Sequence, residues 1–381
     1  MMQIMKIEQA IHALLQVIAA KSGDSETPER LDYLALLGDL TRFYRQVWGH
    51  TLDWPYEQML GAVRTTADVL SVAAIDADSR MLSQAAARIA ERAAELSGES
   101  RYMAIYAAFL RKSGQVGQAR ELCNTLRSRH PDSQQVLSEL FMCVVAERFW
   151  SRDYYDLLGE LHARFRPRSY LEIGVATGKS LALVRHATRA LGVDPATAES
   201  ARLIYHSPEN VPQLYRMTSD EFFEQRDIRQ ELGRDSFDLA FIDGLHHFDQ
   251  VLRDFINLEQ YAGPDSVVLI HDCLPVDPQV ATRERSTAFW TGDVWRIIPC
   301  LQAVRPDLEI ITLPLAPAGL AVVRRLDPAS RVLTRHYDGI VAQFEQLALP
   351  ADWDERCRLL AVEQDETAFE AGRIAPAGGW S

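Results

Sequence analysis

The segment LEIGVATGKS, residues 171–180, ends in Gly178-Lys179-Ser180, as a phosphate-gripping loop does. Such a loop needs G-x-x-x-x-G-K-[ST], so that its backbone amides wrap the phosphates. Counting back from Gly178, the first glycine belongs at 173, which is Ile173, and Gly174 stands one residue too near. The loop is too short to wrap a phosphate pair, which argues against ATP or GTP hydrolysis. The dinucleotide fingerprint G-x-G-x-x-G is missing too, because position 176 is Ala176. What remains is a strand, the acid Glu172, Gly174, three residues, Gly178 and an expected helix. Glycine suits 174 and 178 because a Cβ there would intrude where backbone approaches a ligand. Twenty residues past Gly174, the run ALGVD ends in Asp194, and an acid there can accept both hydroxyls of a ribose.

Working outward, SYLEI, ALGVD, QLYRM, FDLAFID, SVVLIHD, EIITL and LAVVRR read as strands. The stretches between the first five are long enough for helical crossovers. This alternation predicts an α/β fold over 166–328, a Rossmann-like doubly wound and mostly parallel sheet, with its ligand beyond the carboxyl ends of the strands. Residues 1–165 read as an all-helical N-terminal domain, from the three-and-four spacing in IHALLQVIAA (11–20) and LSQAAARIAERAAEL (82–96). Within it Ala107, Gly114, Ala119 and Pro131 fall at the offsets of one tetratricopeptide (TPR-like) unit, with no copy 34 residues either side. An ordinary helical hairpin and a docking surface for a partner both remain open. Residues 329–381 read as a helical C-terminal extension containing HYDGIVAQFEQLAL, with GRIAPAGGWS as a frayed end.

The chain has 381 residues, 47% of them apolar and 24% charged, which fits an ordinary globular protein of about two domains. A formal charge of −13 argues against non-specific attraction to nucleic acid or anionic membrane. The N-terminus, MMQIMKIEQA, lacks an apolar core of leader length, and no apolar run approaches the roughly 18 residues of a membrane span. The five cysteines show no metal-type spacing and read as reduced thiols, so the expected location is cytoplasmic.

The chemistry concentrates in FDLAFIDGLHHFDQVLRDF and the following SVVLIHDCLP. Asp243 and Asp272 end two successive expected strands. Neighbouring parallel strands would set both carboxylates at one rim, a reasonable site for a hard cation such as Mg²⁺ or Mn²⁺. The alternative is that Asp243 caps a helix and Asp272 pairs with a basic residue. In STAFWTGDVWRIIP (286–299), Trp faces could stack on a sugar and Asp293 could accept a hydroxyl bond, or Trp295 is core and the rest a lid. Arg283 and Arg285 could meet an anionic group but suit solvent as well.

Glu172, Gly174 and Gly178, together with Asp194, resemble motifs I and II of the class I S-adenosylmethionine-dependent methyltransferases. The resemblance implies that the glycine turn passes the methionine part of the cofactor and that Asp194 holds its ribose. It also implies that Thr218, Ser219 and Asp220 lie against the adenine. The FIDG-x-H and HD strand ends are similar to those of metal-dependent macrolide and sugar O-methyltransferases, over about 167–325. That likeness implies a cation on Asp243 and Asp272 that binds substrate hydroxyls, with His246 taking the proton. The chain departs from it by carrying His271 before and Cys273 after the second aspartate. The third ligand is therefore open among His271, His247 and Asp249. An imidazole titrates near neutrality, as a base for a hydroxyl requires. The expected partner is a small-molecule acceptor, possibly a sugar, with homo-oligomerisation or docking through the helical domain left open. Other readings are transfer to nitrogen, transfer to a carrier-bound glycan, and a scaffold without catalysis.

Overall fold

The computed structural model describes residues 87, 90, 91, 93–95, 97–185, 188–197, 211–363, 365, 366, 369–376, 379 and 380. IHALLQVIAA lies outside the described residues, and the described part of LSQAAARIAERAAEL is helical. The chain divides into two compact units, Met1–Glu147 and Arg148–Ser381. No described helix is long and apolar enough to cross a membrane.

The first unit contains α1 (Ser100–Lys112), α2 (Val116–Arg129) and α3 (Gln134–Arg148). Ala107 and Ala119 are both fully buried in one cluster with Leu110, Leu126, Val136 and Leu140. Small side chains there let α1 and α2 pack closely. Gly114 makes the turn between them at φ 87, a conformation that favours glycine. α2 ends at Arg129, just before Pro131, which cannot continue a helix. The expected hairpin is present.

In the second unit all seven expected strands form: β1 (Ser169–Ile173), β2 (Arg189–Val193), β3 (Gln213–Tyr215), β4 (Phe237–Ile242), β5 (Ala262–His271), β6 (Glu309–Leu313) and β7 (Leu320–Arg324). They make one sheet in the order β3-β2-β1-β4-β5-β7-β6. The first five run parallel, and β7 pairs antiparallel with both β5 and β6. β1 and β4 are buried at every residue, as strands covered on both faces must be. Along β4 the pleat sends Ala240 and Ile242 into one apolar cluster and Leu239 and Phe241 into the other. The first face is covered by α7 (Phe248–Glu259), whose Phe248, Val251, Leu252, Phe255 and Leu258 recur at helical spacing. The second is covered by α4 (Tyr154–Glu160) through Leu157 and Leu158. Residues 148–165, read as the end of the helical region, thus belong to the sheet-bearing unit.

Two expectations about local structure fail. The helix expected after Gly178 is only a 3₁₀ turn, Leu181–Leu183, among the described residues. The C-terminal end is docked rather than frayed. Trp380 is 3% exposed; its backbone N–H donates to the Phe165 carbonyl at 3.0 Å, and its indole donates to the Asp265 carbonyl at 2.9 Å. Ile374, Ala375 and Phe369 join the same core face, so apolar burial outweighs the looseness that Gly and Pro would give an exposed tail.

Candidate functional site

The strand order reverses between β1 and β4, and a cavity of about 380 Å³ opens beyond their carboxyl ends. That is the place and size of a small-ligand site in a doubly wound sheet. Gly174, Asp194, Ser219, Asp243 and His246 all contribute to its wall. Gly174 has φ +88, and a Cβ there would lie 1.9 Å from the Asp243 carbonyl oxygen. The approach of the β4 end by itself thus demands glycine here, in addition to the ligand approach expected from the sequence. Gly178, at φ 77, donates its N–H to the Val175 carbonyl at 2.7 Å and closes the turn from outside the cavity wall.

Asp194 shapes the same turn. Its Oδ2 accepts from the Val175 and Ala176 amides at 2.9 and 2.7 Å, and its Oδ1 accepts from Ala196 at 2.7 Å. A ribose would have to share a carboxylate already at work. Asp194→Ala is therefore expected to weaken S-adenosylhomocysteine binding by more than about tenfold, through lost contact and a loosened turn together. Calorimetric titration of both proteins checks this, and equal affinities would sink the ribose assignment.

Glu172 lies behind the wall, fully buried, and accepts from Ser180 Oγ at 2.6 Å and Tyr170 OH at 2.7 Å. It braces the glycine loop from below rather than facing a ligand. Burial pushes its carboxyl up to about 8, against the two hydroxyl donors. A folded-state pKa above the unfolded value of about 4.3 means that this group's stabilising contribution is full at low pH and is lost as pH rises towards 8. The melting temperature of Glu172→Gln relative to wild type is therefore expected to climb between pH 4.5 and 8. A constant difference across that window would contradict the assignment.

Thr218 caps α5 (Ser219–Gln225) through a reciprocal capping box with Glu221. Ser219 lines the cavity, and Gln250 Nε2 donates to it at 3.1 Å. Asp220 faces away, towards Gln250 at 3.1 Å and Arg253 at 3.4 Å. Of the expected adenine residues, Thr218 and Ser219 reach the wall and Asp220 does not.

β4 and β5 are paired in parallel with Ile242 opposite Ile270, which brings Asp243, His271 and Asp272 together at the rim. His246 Nδ1 lies 2.9 Å from Asp272 Oδ2, and His246 Nε2 lies 3.5 Å from Asp243 Oδ1. His271 Nδ1 lies 3.1 Å from Asp243 Oδ1. Burial opposes charge on every member, yet opposite charges prevail. His271 and His246 hold Asp243 and Asp272 below the usual carboxylate range. Asp272 and Asp243 push His246 up to about 10. Both His246 and Asp272 adopt left-handed backbone, φ 60 and 61, a strain of about 1–3 kcal/mol each that other contacts must hold in place. Among the described residues, ligand atoms of Asp243, His246 and Asp272 fall within 4.8 Å of one another. Of the three third-ligand candidates, His271 reaches the cluster, its Nδ1 also 3.5 Å from Asp272 Oδ1. Asp249 is bound to Arg283 at 2.7 Å, and His247 precedes α7 edge-on to Trp290, so both stand apart.

In the segment 286–299, Trp295 is core, 1% exposed, the second of its two expected roles. Asp293 accepts from the Phe248 amide at 2.7 Å and pairs with Arg296 at 3.1 Å, so it caps α7, and at 2% exposed it lies away from solvent. Trp290 stacks on the His246 ring, with centroids 5.3 Å apart and planes 14° apart. Arg285 also lies against Trp290, 5.9 Å from its centroid.

Wall residues that escaped the sequence reading include Tyr154, Tyr155, Gln250 and Asp254. Tyr154 packs on His271 at 4.3 Å. Asp254 is 1% exposed, and burial raises its carboxyl to about 6. The signal for Asp254 was its spacing from Gln250, one helical turn along α7. The tyrosines lie upstream of every motif, and only the chain's return onto the sheet brings them in.

Comparison with known proteins adds a family description. Residues 171–273 match the family model for a methyltransferase domain. No curated protein sequence matches. Solved structures with similarity include the O-methyltransferase TomG from Streptomyces achromogenes, involved in tomaymycin synthesis and solved with SAM, at 18% identity and TM-score 0.34, covering 45% of this chain and 78% of that one. The O-methyltransferase from Bacillus cereus in complex with SAH shows 16% identity and TM-score 0.36, covering 50% and 90%. The SAH-bound methyltransferase PaMTH1 from Podospora anserina shows 15% identity and TM-score 0.37, covering 48% and 82%. Residues 171–273 of the second unit are thus similar to a methyltransferase domain, and the sheet that carries them is of the Rossmann-like, doubly wound type.

Proposed function

We propose that this domain moves a methyl group from S-adenosylmethionine to a hydroxyl oxygen of a sugar or other small polyol, with a divalent cation assisting. The observation that carries the reading is one cavity lined both by the Gly174–Asp194 turn and by Asp243 and His246, two members of the cluster with Asp272. Cofactor and acceptor oxygen would meet at that junction. The solved structures described as SAM- or SAH-bound support the choice of cofactor.

The cluster suits a cation on its own terms. His246 Nδ1 and Asp272 Oδ2 are buried and face each other at 2.9 Å outside hydrogen-bond geometry. A cation to one side could take a lone pair from each. Carboxylate oxygens with one imidazole form a donor set for Mg²⁺ or Mn²⁺, held by Asp243, Asp272 and His246. Such an ion would lower the pKa of a hydroxyl bound to it. The chain's own part is alignment and proton handling. The glycine turn and Ser219 fix the cofactor, and Tyr154 and Tyr155 wall the acceptor side and exclude water. A neutral imidazole offers a single lone pair, so where His246 is not itself a ligand it is the group placed to take the hydroxyl proton. With its carboxylate neighbours uncompensated it keeps its own proton up to about pH 10, so it can act only when their charge is offset. The first unit we assign to docking of a partner or acceptor. The cytoplasm fits the described cysteines, which are all free and buried.

Transfer of labelled methyl from S-adenosylmethionine to a panel of sugars and polyols, with and without Mn²⁺, tests the reading. Transfer to amines but not to hydroxyls would redirect it to nitrogen. Failure to bind S-adenosylhomocysteine at all would leave a scaffold.

A further inference from the structure

We propose that Trp290 is the positioning residue that sets the direction of the His246 ring. The inference deepens the cation reading above and rests on it for one of its two tests. A histidine ring is normally fixed by a hydrogen bond at one nitrogen. Here Nδ1 lies 2.9 Å from Asp272 Oδ2 but outside hydrogen-bond geometry, and Nε2 stands 3.5 Å from Asp243 Oδ1. The ion pair draws the ring towards the carboxylates, and the stack on Trp290, 14° from parallel, is the contact that sets its plane.

The segment carrying Trp290 is built to hold that stack. The Trp290 indole N–H donates to the Thr282 carbonyl at 2.7 Å. Thr291 is tied to Val280 through its amide at 2.9 Å and its hydroxyl at 3.0 Å. The next residues grip the histidine's own backbone. Gly292 sits at φ +65, and a Cβ on it would lie 1.9 Å from the His246 carbonyl oxygen. The Asp293 amide donates to that oxygen at 3.2 Å, while its carboxylate caps the helix beginning at Phe248. One short segment therefore clamps His246 at backbone and ring together. This explains how a non-glycine residue persists at φ 60 in the cavity wall. It also gives the W-T-G-D run a role other than contacting the acceptor.

The test uses the full chain and Mn²⁺ alone, titrated by calorimetry into wild type, Trp290→Ala and Trp290→Phe. Loss of a group that orients a ligand typically costs 10–100-fold in metal affinity, so Trp290→Ala is expected to bind Mn²⁺ at least about tenfold more weakly. Trp290→Phe keeps an aromatic face and is expected to stay within about threefold of wild type. S-adenosylhomocysteine affinity should be the same in all three, which separates positioning from a damaged fold. The second readout needs no metal. In protein labelled with ¹³C-histidine, the His246 ring signal, assigned with His246→Gln, should show the order of a fixed side chain in wild type and Trp290→Phe and lose it in Trp290→Ala. Wild-type Mn²⁺ affinity in Trp290→Ala overturns the proposal, as does an equally ordered ring. If the wild type itself takes up no Mn²⁺, the cation reading falls and ring order alone decides.

Discussion

Replacing Asp272 with Asn is expected to abolish Mn²⁺ binding and to lower methyl transfer by at least about a hundredfold, because a cation's stabilisation of the reacting oxygen is worth several kcal/mol. Asp272 is 4% exposed, and its Oδ2 meets the His246 ring at 2.9 Å outside hydrogen-bond geometry. A buried carboxylate is costly unless charge meets it, and a cation would add to the charge that His246 and His271 supply. Asn is the right probe because it tolerates the left-handed backbone at φ 61 and keeps the shape of the side chain. Asp272 lies outside the cavity wall, so S-adenosylhomocysteine should bind the variant with wild-type affinity. Exhaustive chelation of the wild type should reproduce the loss, and Mg²⁺ or Mn²⁺ should restore activity. Full turnover after chelation would end the metal role and leave Asp243 and Asp272 as counter-ions of His246 and His271.

That pair was legible because it depends only on strand order. Two apolar runs ending in aspartate, separated by one helical stretch, most often become neighbours in a parallel sheet, and β4 and β5 are neighbours, whereas β3 and β4 are not. The strands were legible for the same reason, since unbroken Val, Ile, Leu and Phe runs are what a doubly covered sheet needs. The direction of a single side chain was not. Glu172 sits next to the glycine turn in sequence, but it points into the core, where Ser180 and Tyr170 hold it. Asp293 and Trp290 looked free for a substrate, since a helix cap and a ring stack depend on packing between distant elements. The end GRIAPAGGWS (372–381) reads as loose because Gly and Pro recur in it, while the burial of Ile374, Ala375 and Trp380 decides its fate. Tyr154 and Tyr155 show the same limit from the other side. Nothing in YYDLLGE marks a cavity wall until α4 is laid across the sheet.

His246→Ala is expected to lower kcat by about 10²–10⁴-fold, the usual worth of a general base, with cofactor affinity little changed. His246 reaches the cavity wall and both carboxylates, whereas His247 lies outside the wall and meets Trp290 edge-on. His247→Ala should therefore have a much smaller effect. The imidazole also has a second role open to it, because its Nδ1 belongs to the group of atoms suited to a cation. The two roles separate by titration. A base that is not a ligand leaves Mn²⁺ affinity intact in His246→Ala while kcat collapses. A ligand takes Mn²⁺ affinity down with it. The sign of the pH dependence follows from the same charges. Asp272 and Asp243 hold the imidazolium form up to about pH 10 when nothing offsets them. A divalent charge at the carboxylates disfavours that proton and moves the titration down towards the ordinary histidine value of about 6.5. Adding Mn²⁺ should thus shift the His246 ring titration to lower pH, and the acid limb of kcat should follow it. Should His246→Ala keep full kcat and the same acid limb, the proton goes elsewhere. His271 is then poorly placed to receive it, since it lies outside the cavity wall against Tyr154 and Asp243.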